Sequence, residues 1–429
     1  MKTIAITKPR GITLHVLALL GATALSCVLF ASSALSADVW VAGDARIAKL
    51  AINGQTLVTV DSVFGSGFNY GIGLQDIMGV EQRNVWVSDV NDDRVFELDP
   101  DGKPLREIAL LSPLGIGIDP NSGTVWTSIL LNQTTFPRAV IKLDPNTGEE
   151  LVRVTGFSRS VAAISVAPSG RVWIADRFNS EVVVLFGTNE ELNGYDASAP
   201  SGPHHLRLSG FEEPEDIAID PGNSSRGGES TWVADSGHGQ AVKIASDGTE
   251  LVRVSPTGFF DVRFVSVNSR DGSVWVGDNN SGRVAKLSFL GEEAKNLSIN
   301  PTALAVDVAD DAVWIGTGFD EGAKVLKLDS DGSELLSISG LGTGTIRAMA
   351  AILSATVVID GCNSGVTDTV LTSGRTISDL IAECATGARN HGQFVSCVAH
   401  VTNELKQTGT ISGQQKGAIQ SCAAQAHIP

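Results

Sequence analysis

Asp216-Ile217-Ala218-Ile219-Asp220-Pro221, then Thr231-Trp232-Val233, then the turn Ser246-Asp247-Gly248 and the run Glu250-Leu251-Val252-Arg253-Val254 make up the stretch that decides the fold. Apolar and polar residues alternate with period two, which is strand syntax. The Asx and Gly residues of the turn supply the positive φ of a tight hairpin. The same order recurs along the chain, and tryptophan marks it: Val39-Trp40-Val41, Val85-Trp86-Val87, Val125-Trp126-Thr127, Val172-Trp173-Ile174, Thr231-Trp232-Val233, Val274-Trp275-Val276 and Val313-Trp314-Ile315. No tryptophan lies outside this pattern. The intervals of 46, 40, 47, 59, 43 and 39 residues match a four-stranded propeller blade rather than a helical-pair repeat.

Each unit reads as strands A, B, C and D, with tryptophan on B. Further A strands are Gly115-Ile116-Gly117-Ile118-Asp119-Pro120, Ala163-Ile164-Ser165-Val166-Ala167-Pro168 and Ala303-Leu304-Ala305-Val306-Asp307; further C strands are Arg94-Val95-Phe96-Glu97-Leu98, Ala139-Val140-Ile141-Lys142-Leu143, Arg283-Val284-Ala285-Lys286-Leu287 and Lys324-Val325-Leu326-Lys327-Leu328. The repeat region begins on a B strand at Val39, and one A-like strand, Ile346-Arg347-Ala348-Met349-Ala350, follows the seventh unit. That last strand completes the first blade and removes the open edges of an unclosed sheet.

Composition agrees. Among 429 residues, 46 Gly and 15 Pro interrupt the chain too often for long helices through most of its length. Residues 1–37 carry Lys2, Lys8 and Arg10 and no acid, then an apolar run from Ile12 to Phe30 and the small-residue exit Ala31-Ser32-Ser33-Ala34-Leu35-Ser36-Ala37. This predicts a signal peptide and an exported protein, periplasmic or extracellular, with no membrane span after cleavage. Without the leader, 28 Lys and Arg face 48 Asp and Glu, a charge of −20. Such a surface repels nucleic acid and favours a cationic ligand.

From Leu353 the syntax changes. Ile377, Leu380, Ile381 and Cys384 share one helical face, and Phe394, Cys397, Val398, Val401 and Leu405 share another. Ser412-Gly413-Gln414-Gln415 is a capping box for a third helix through Cys422. A core this small calls for staples. The four cysteines outside the leader, Cys362, Cys384, Cys397 and Cys422, imply two disulfides. Three pairings are open; Cys384 with Cys397 across a helical hairpin and Cys362 with Cys422 tying the ends is the preferred one. The expected fold is thus an all-β seven-bladed β-propeller of four-stranded blades over residues 38–352, followed over 353–429 by a small disulfide-linked α-helical domain.

Over about Ala37 to Ile352 these units resemble NHL-type repeats and the blades of the streptogramin-lyase and gluconolactonase-like propeller superfamily. The resemblance implies a ligand funnel on the face where strand B ends and strand A begins. Three residues after each tryptophan stand Gly43, Asp89, Ile129, Asp176, Asp235, Asp278 and Thr317. With Glu215, Asp216 and Asp261, the four aspartates read as an acidic rim able to hold a divalent cation such as calcium, or a cationic ligand. The competing reading gives each aspartate an Asx-turn role, accepting backbone N–H bonds.

Lyases of similar shape carry histidines at loop or A-strand starts, assisted by a glutamate or a metal. Here the propeller holds only His204, His205 and His238, and the relevant A strand starts Glu213-Pro214-Glu215-Asp216. His238 is the candidate general base, and Glu215, Asp278 and Asn279 are the candidate lactonase-type metal ligands. The expected function is an exported, non-catalytic binding or scaffold propeller whose partner is a protein, a cell-surface component or a small cationic ligand. The alternative is a divalent-metal-dependent lyase or lactonase acting on a small molecule in the funnel.

Overall fold

The computed structural model describes residues 39–428 except 45, 52–53, 62–68, 75–83, 131–137, 159–160, 223–225, 309–310, 320–321, 352–355, 361, 368–376, 409 and 427. The proposed leader lies outside the described residues. Two compact units emerge, Ala37–Ala355 and Thr356–Pro429.

The first unit is a seven-bladed β-propeller. Blade 1 orders its strands Ile346–Ala351, Val39–Gly43, Ile47–Leu50 and Thr56–Val60, so the last strand of the ring pairs with the first, Trp40 opposite Ala350. In blades 2 to 7 the four strands follow chain order, and blade 4 adds a short fifth, Ser201–Gly202. The A strands Asn69–Leu74, Leu114–Ile118, Val161–Val166, Pro214–Asp220, Phe264–Val267, Pro301–Asp307 and Ile346–Ala351 lie against one another in succession, around the axis and back to the start.

Tryptophan recurs once per blade because each indole fills the joint to the next blade. Trp40 packs with Val85, Val87 and Phe96 of blade 2; Trp126 packs with Ile164, Val172 and Ile174 of blade 4; Trp314 closes the circle on Val39, Val41 and Leu50 of blade 1. A flat, wide side chain suits the gap between twisted sheets, and burying one indole removes roughly 200 Å² from water.

A second repeat rides on the first. The residue facing tryptophan from strand C is Lys49, Lys142, Lys243, Lys286 or Lys327 in five blades, each ammonium 4.9–5.9 Å from the indole centroid. The last residue of strand A supplies the countercharge in blades 5 and 7: Asp220 lies 3.6 Å from Lys243, and Asp307 bonds Lys327 at 2.9 Å. Burial pulls the Lys142 and Lys243 ammonium groups below the ordinary lysine range, and Asp119 and Asp220 oppose it. Blade 4 drops both partners together, with Val184 facing Trp173 and Ala167 after strand A. Blade 2 places Glu97 opposite Trp86 and pairs it with Arg106 at 3.3 Å.

The insertion that lengthens the fourth interval is structural. Gly194, Tyr195 and Ala197 bond the outer strand of blade 3, Glu150–Phe157, at Arg153 and Thr155 with distances of 2.8–3.0 Å. It shields an edge that would otherwise be open to pairing.

The second unit holds the three expected helices, Ile377–Gly387, His391–Gln407 and Gly413–Gln425. Ser412 and Gln415 form the capping box. Cys362 is joined to Cys422 and Cys384 to Cys397. Cys384, Cys422, Phe394, Val398, Leu405 and Ile419 sit in one core. The unit also contains a hairpin, Thr356–Ile359 with Cys362–Thr367, that the helical expectation omits. Its β-branched run and Asp360 at φ 48° are hairpin signals.

Candidate functional site

The B strands end, and the A strands begin, on one face of the propeller, here called the loop face. The four repeated aspartates sit there as the last residues of strands Val85–Asp89, Val172–Asp176, Ser230–Asp235 and Val274–Asp278, and all four are fully buried. They turn inward to the main chain. Asp89 accepts the N–H groups of Asn91 and Asp92 at 3.1 Å. Asp176 accepts from Ser158 N–H at 3.2 Å, from the Ser158 hydroxyl and from Asn179 at 2.9 Å. Asp235 accepts from Glu212 N–H at 2.7 Å, and Asp278 from the N–H groups of Phe260, Asp261, Asn280 and Ser281 at 2.7–3.0 Å.

Each of the last three therefore clamps the chain entering strand A of its own blade, and all four bond a group of their own B–C loop: Asn91, Asn179, His238 and Asn280. The geometry is that of the Asx-turn reading rather than of an open acidic rim. Burial raises the carboxyl pKa of Asp89 and Asp176. Burial also presses upward on Asp278, but the N–H groups of Phe260, Ser281 and Asp261 outweigh it and hold it below the usual range. In blade 1 the same position is Gly43. A Cβ there would stand 2.4 Å from the Thr343 carbonyl oxygen, so only glycine fits.

What the loop face does present is a paired cluster across blades 4, 5 and 6. Arg177, in the B–C loop of blade 4, holds Glu213 at 2.7 Å and Glu215 at 2.9 Å at the start of Pro214–Asp220. Arg263 holds Asp261 at 2.7 Å before Phe264–Val267, and Asp261 also accepts from Ser236 and Asn280. Burial raises the pKa of Glu215, against Arg177 and Arg263, whereas its bond to Arg177 lowers that of Glu213. Beside the cluster two rings face solvent, Phe178 at 47% and Phe260 at 75% exposure. Phe319, on the loop after Ala312–Thr317, is exposed on the same face.

The histidines do not assemble. His205 is buried, its Nδ1 bonded to Tyr195 at 3.0 Å and its Nε2 to the Ala199 carbonyl at 2.8 Å. His204 lies 4.0 Å from Glu191. His238 is half-exposed, its Nδ1 2.9 Å from Asp235 and its Nε2 3.6 Å from Glu212. Among the described residues no three His, Cys, Asp or Glu side chains are placed to hold a metal ion. The metal candidates are separately occupied: Glu215 by Arg177, Asp278 by backbone donors, while Asn279 sits in the B–C loop of blade 6.

Arg177, Arg263, Phe178 and Phe260 are the residues that motif reading passed over. The available signal was a phenylalanine next to a charged residue in a loop, as in Arg177-Phe178 and Phe260-Asp261.

Asp216 belongs to the ring around the axis rather than to the cluster. Its carboxylate accepts Val265 N–H of the next blade at 3.0 Å and its neighbour Ile217 N–H at 2.8 Å. Ser165 donates to the Ile217 carbonyl at 3.0 Å, and Ser266 accepts Val306 N–H at 2.9 Å. Side chains thus satisfy A-strand backbone groups that have no sheet partner on the axial side. Burial pushes the Asp216 pKa up to about 6, backbone donors opposing and Glu215 adding to the rise.

The native state therefore holds this proton through a range where the unfolded chain has lost it. The associated stability is complete below about pH 4 and is lost as pH rises through about 6, to a limit of about 3 kcal/mol. In urea titrations the stability of Asp216→Asn minus that of wild type should climb by up to that amount between pH 4 and pH 7, whatever constant offset the lost acceptor introduces. A pH-independent difference would refute the assignment.

No family model matches the chain, and no curated protein matches it. Among solved structures the chain is similar to virginiamycin B lyase from Staphylococcus aureus, at 15% identity over 64% of this chain and 84% of that one, TM-score 0.47. It is also similar to a streptogramin B lyase, at 13% identity over 63% of this chain and 83% of that one, TM-score 0.45.

Proposed function

We propose that the protein is an exported binding module that engages a cell-surface component through the loop face of blades 4 to 6. The observation that carries this reading is the division of labour on that face. The repeated carboxylates are consumed in holding the backbone, while Phe178 and Phe260 stand exposed beside a rigid cluster of paired charges. Exposed aromatic rings at polar rims are a common mark of recognition sites. Export is supported by the basic, apolar and small-residue order of residues 1–37 and by two disulfides, which persist in oxidising compartments. No helix among the described residues is long and apolar enough to cross a membrane.

The test is co-sedimentation of the purified mature chain with isolated envelopes of the producing cells. Phe178→Ala/Phe260→Ala should lower binding at least about tenfold while leaving the melting temperature unchanged, since both rings are exposed. Undiminished binding would overturn the reading.

A metal-dependent lyase or lactonase is the second reading, and His238, oriented by Asp235, is the observation that favours it. Metal analysis with a melt in EDTA separates the two. Under the binding reading EDTA shifts the melting temperature by less than about 1 °C, because nothing bound is being removed. Stoichiometric metal lost together with stability would favour the enzyme.

A further inference from the structure

The geometry points to a neutral, polyhydroxylated ligand, a glycan segment, as the occupant of the Phe178–Phe260 sector. This deepens the binding reading above and rests on it. Charge comes first. Arg177 is shared by Glu213 and Glu215, Arg263 pairs with Asp261, and Arg253 pairs with both Asp235 and Glu250 at 2.8–2.9 Å. The five carboxylates outnumber the three guanidinium groups, but each is engaged by one of them, so none of the five stands free to ligate a cation. What remains is a set of planar donor and acceptor edges, the complement of sugar hydroxyls, which donate and accept at once.

The exposed apolar groups give the second line. Among the described residues the large exposed hydrophobics of the loop face are all phenylalanine: Phe178, Phe260 and Phe319. The exposed leucines, Leu57, Leu105, Leu251, Leu290 and Leu335, lie instead on the outer D strands or in a C–D turn. A protein partner favours a contiguous apolar core with a polar rim. A pyranose instead needs a single aromatic face for its C–H surface, with polar groups around the edge to meet its hydroxyls.

Rigidity is the third. Arg177 lies over the Phe178 ring at 5.5 Å while gripping two carboxylates, so the polar edge and the ring are fixed relative to each other before anything binds. Phe260 adjoins Asp261 on the far side of the same cluster.

Calorimetric titration of the full mature chain with cellotetraose, maltotetraose, N-acetylchitotetraose and the neutral polysaccharide fraction released from the same envelopes tests this, with spermine and polygalacturonate as charged comparators. At least one neutral probe should bind saturably. Its affinity should change less than about twofold between 50 and 500 mM NaCl, because no net charge is being matched. Phe260→Ala and Phe178→Ala should each weaken it at least about tenfold. Failure of every neutral probe, or saturable binding only by spermine or polygalacturonate with steep loss in salt, overturns the glycan assignment. If the phenylalanine variants still lose envelope binding while no neutral probe binds, the ligand class is wrong and the surface is right. If envelope binding ignores the phenylalanines, the surface itself is wrong.

Discussion

Replacing Asp307 by alanine is expected to cost the propeller about 3–5 kcal/mol, the usual penalty for stripping one partner from a buried ion pair. The Lys327 ammonium is 2% exposed, lies 2.9 Å from Asp307 and sits over Trp314 at 4.9 Å, so it cannot recover its hydration without opening the joint to blade 1. The protein itself contains the remedy. Blade 4 carries Ala167 and Val184 at the equivalent places and still buries Trp173 completely. The double variant Asp307→Ala/Lys327→Val should therefore regain at least half of the loss, since a buried pair exchanged for apolar groups of similar size is near neutral. Urea unfolding of the two single variants and the double variant provides the cycle. A double variant no more stable than Asp307→Ala would show that the pair does not act as a unit.

Removal of the Cys362–Cys422 bond by serine at both positions should destabilise the C-terminal unit by about 4 kcal/mol. The bond closes a span of 60 residues, and chain entropy at that length has this size. Cys384–Cys397, with a span of 13, should contribute about 3 kcal/mol. A core of this size rarely supplies more than about 3–5 kcal/mol by itself, so the serine variant should leave the unit largely unfolded at 37 °C. The propeller residues 38–352 contain no cysteine. Calorimetry of the full chain should then show one transition lost or moved sharply down on reduction and another unmoved within about 2 °C. Coincident melting of reduced and oxidised protein would refute the staple.

The propeller was legible because its signals are local and repeated. Trp40 to Trp314 mark the B strands, and the start on Val39 demands a borrowed strand that Ile346-Arg347-Ala348-Met349-Ala350 supplies. The site was legible only by position. Asp89, Asp176, Asp235 and Asp278 recur in register, but their partners are main-chain N–H groups of Ser158, Glu212, Phe260 and others, and backbone donors leave no mark in side-chain identity. Arg177 meets Glu213 and Glu215 because the ring brings one blade's loop to the next blade's first strand, a contact set by curvature rather than by spacing. The Lys-on-Trp pairs escaped for a related reason. From Trp40 to Lys49 the chain runs nine residues and from Trp126 to Lys142 sixteen, so loop length hides a register that the sheet makes constant.

The pairing of Trp40 with Ala350 also orders events in time. Blade 1 draws its innermost strand from the far end of the ring, so an emerging chain holds Val39–Gly43 with an unpaired edge until some three hundred further residues have followed. Joining ends so distant in sequence carries a large loop-closure entropy that only the finished circle repays. A chain that stops short of Ile346 lacks the strand that completes blade 1, and the first strand it makes stays open to any other extended segment nearby.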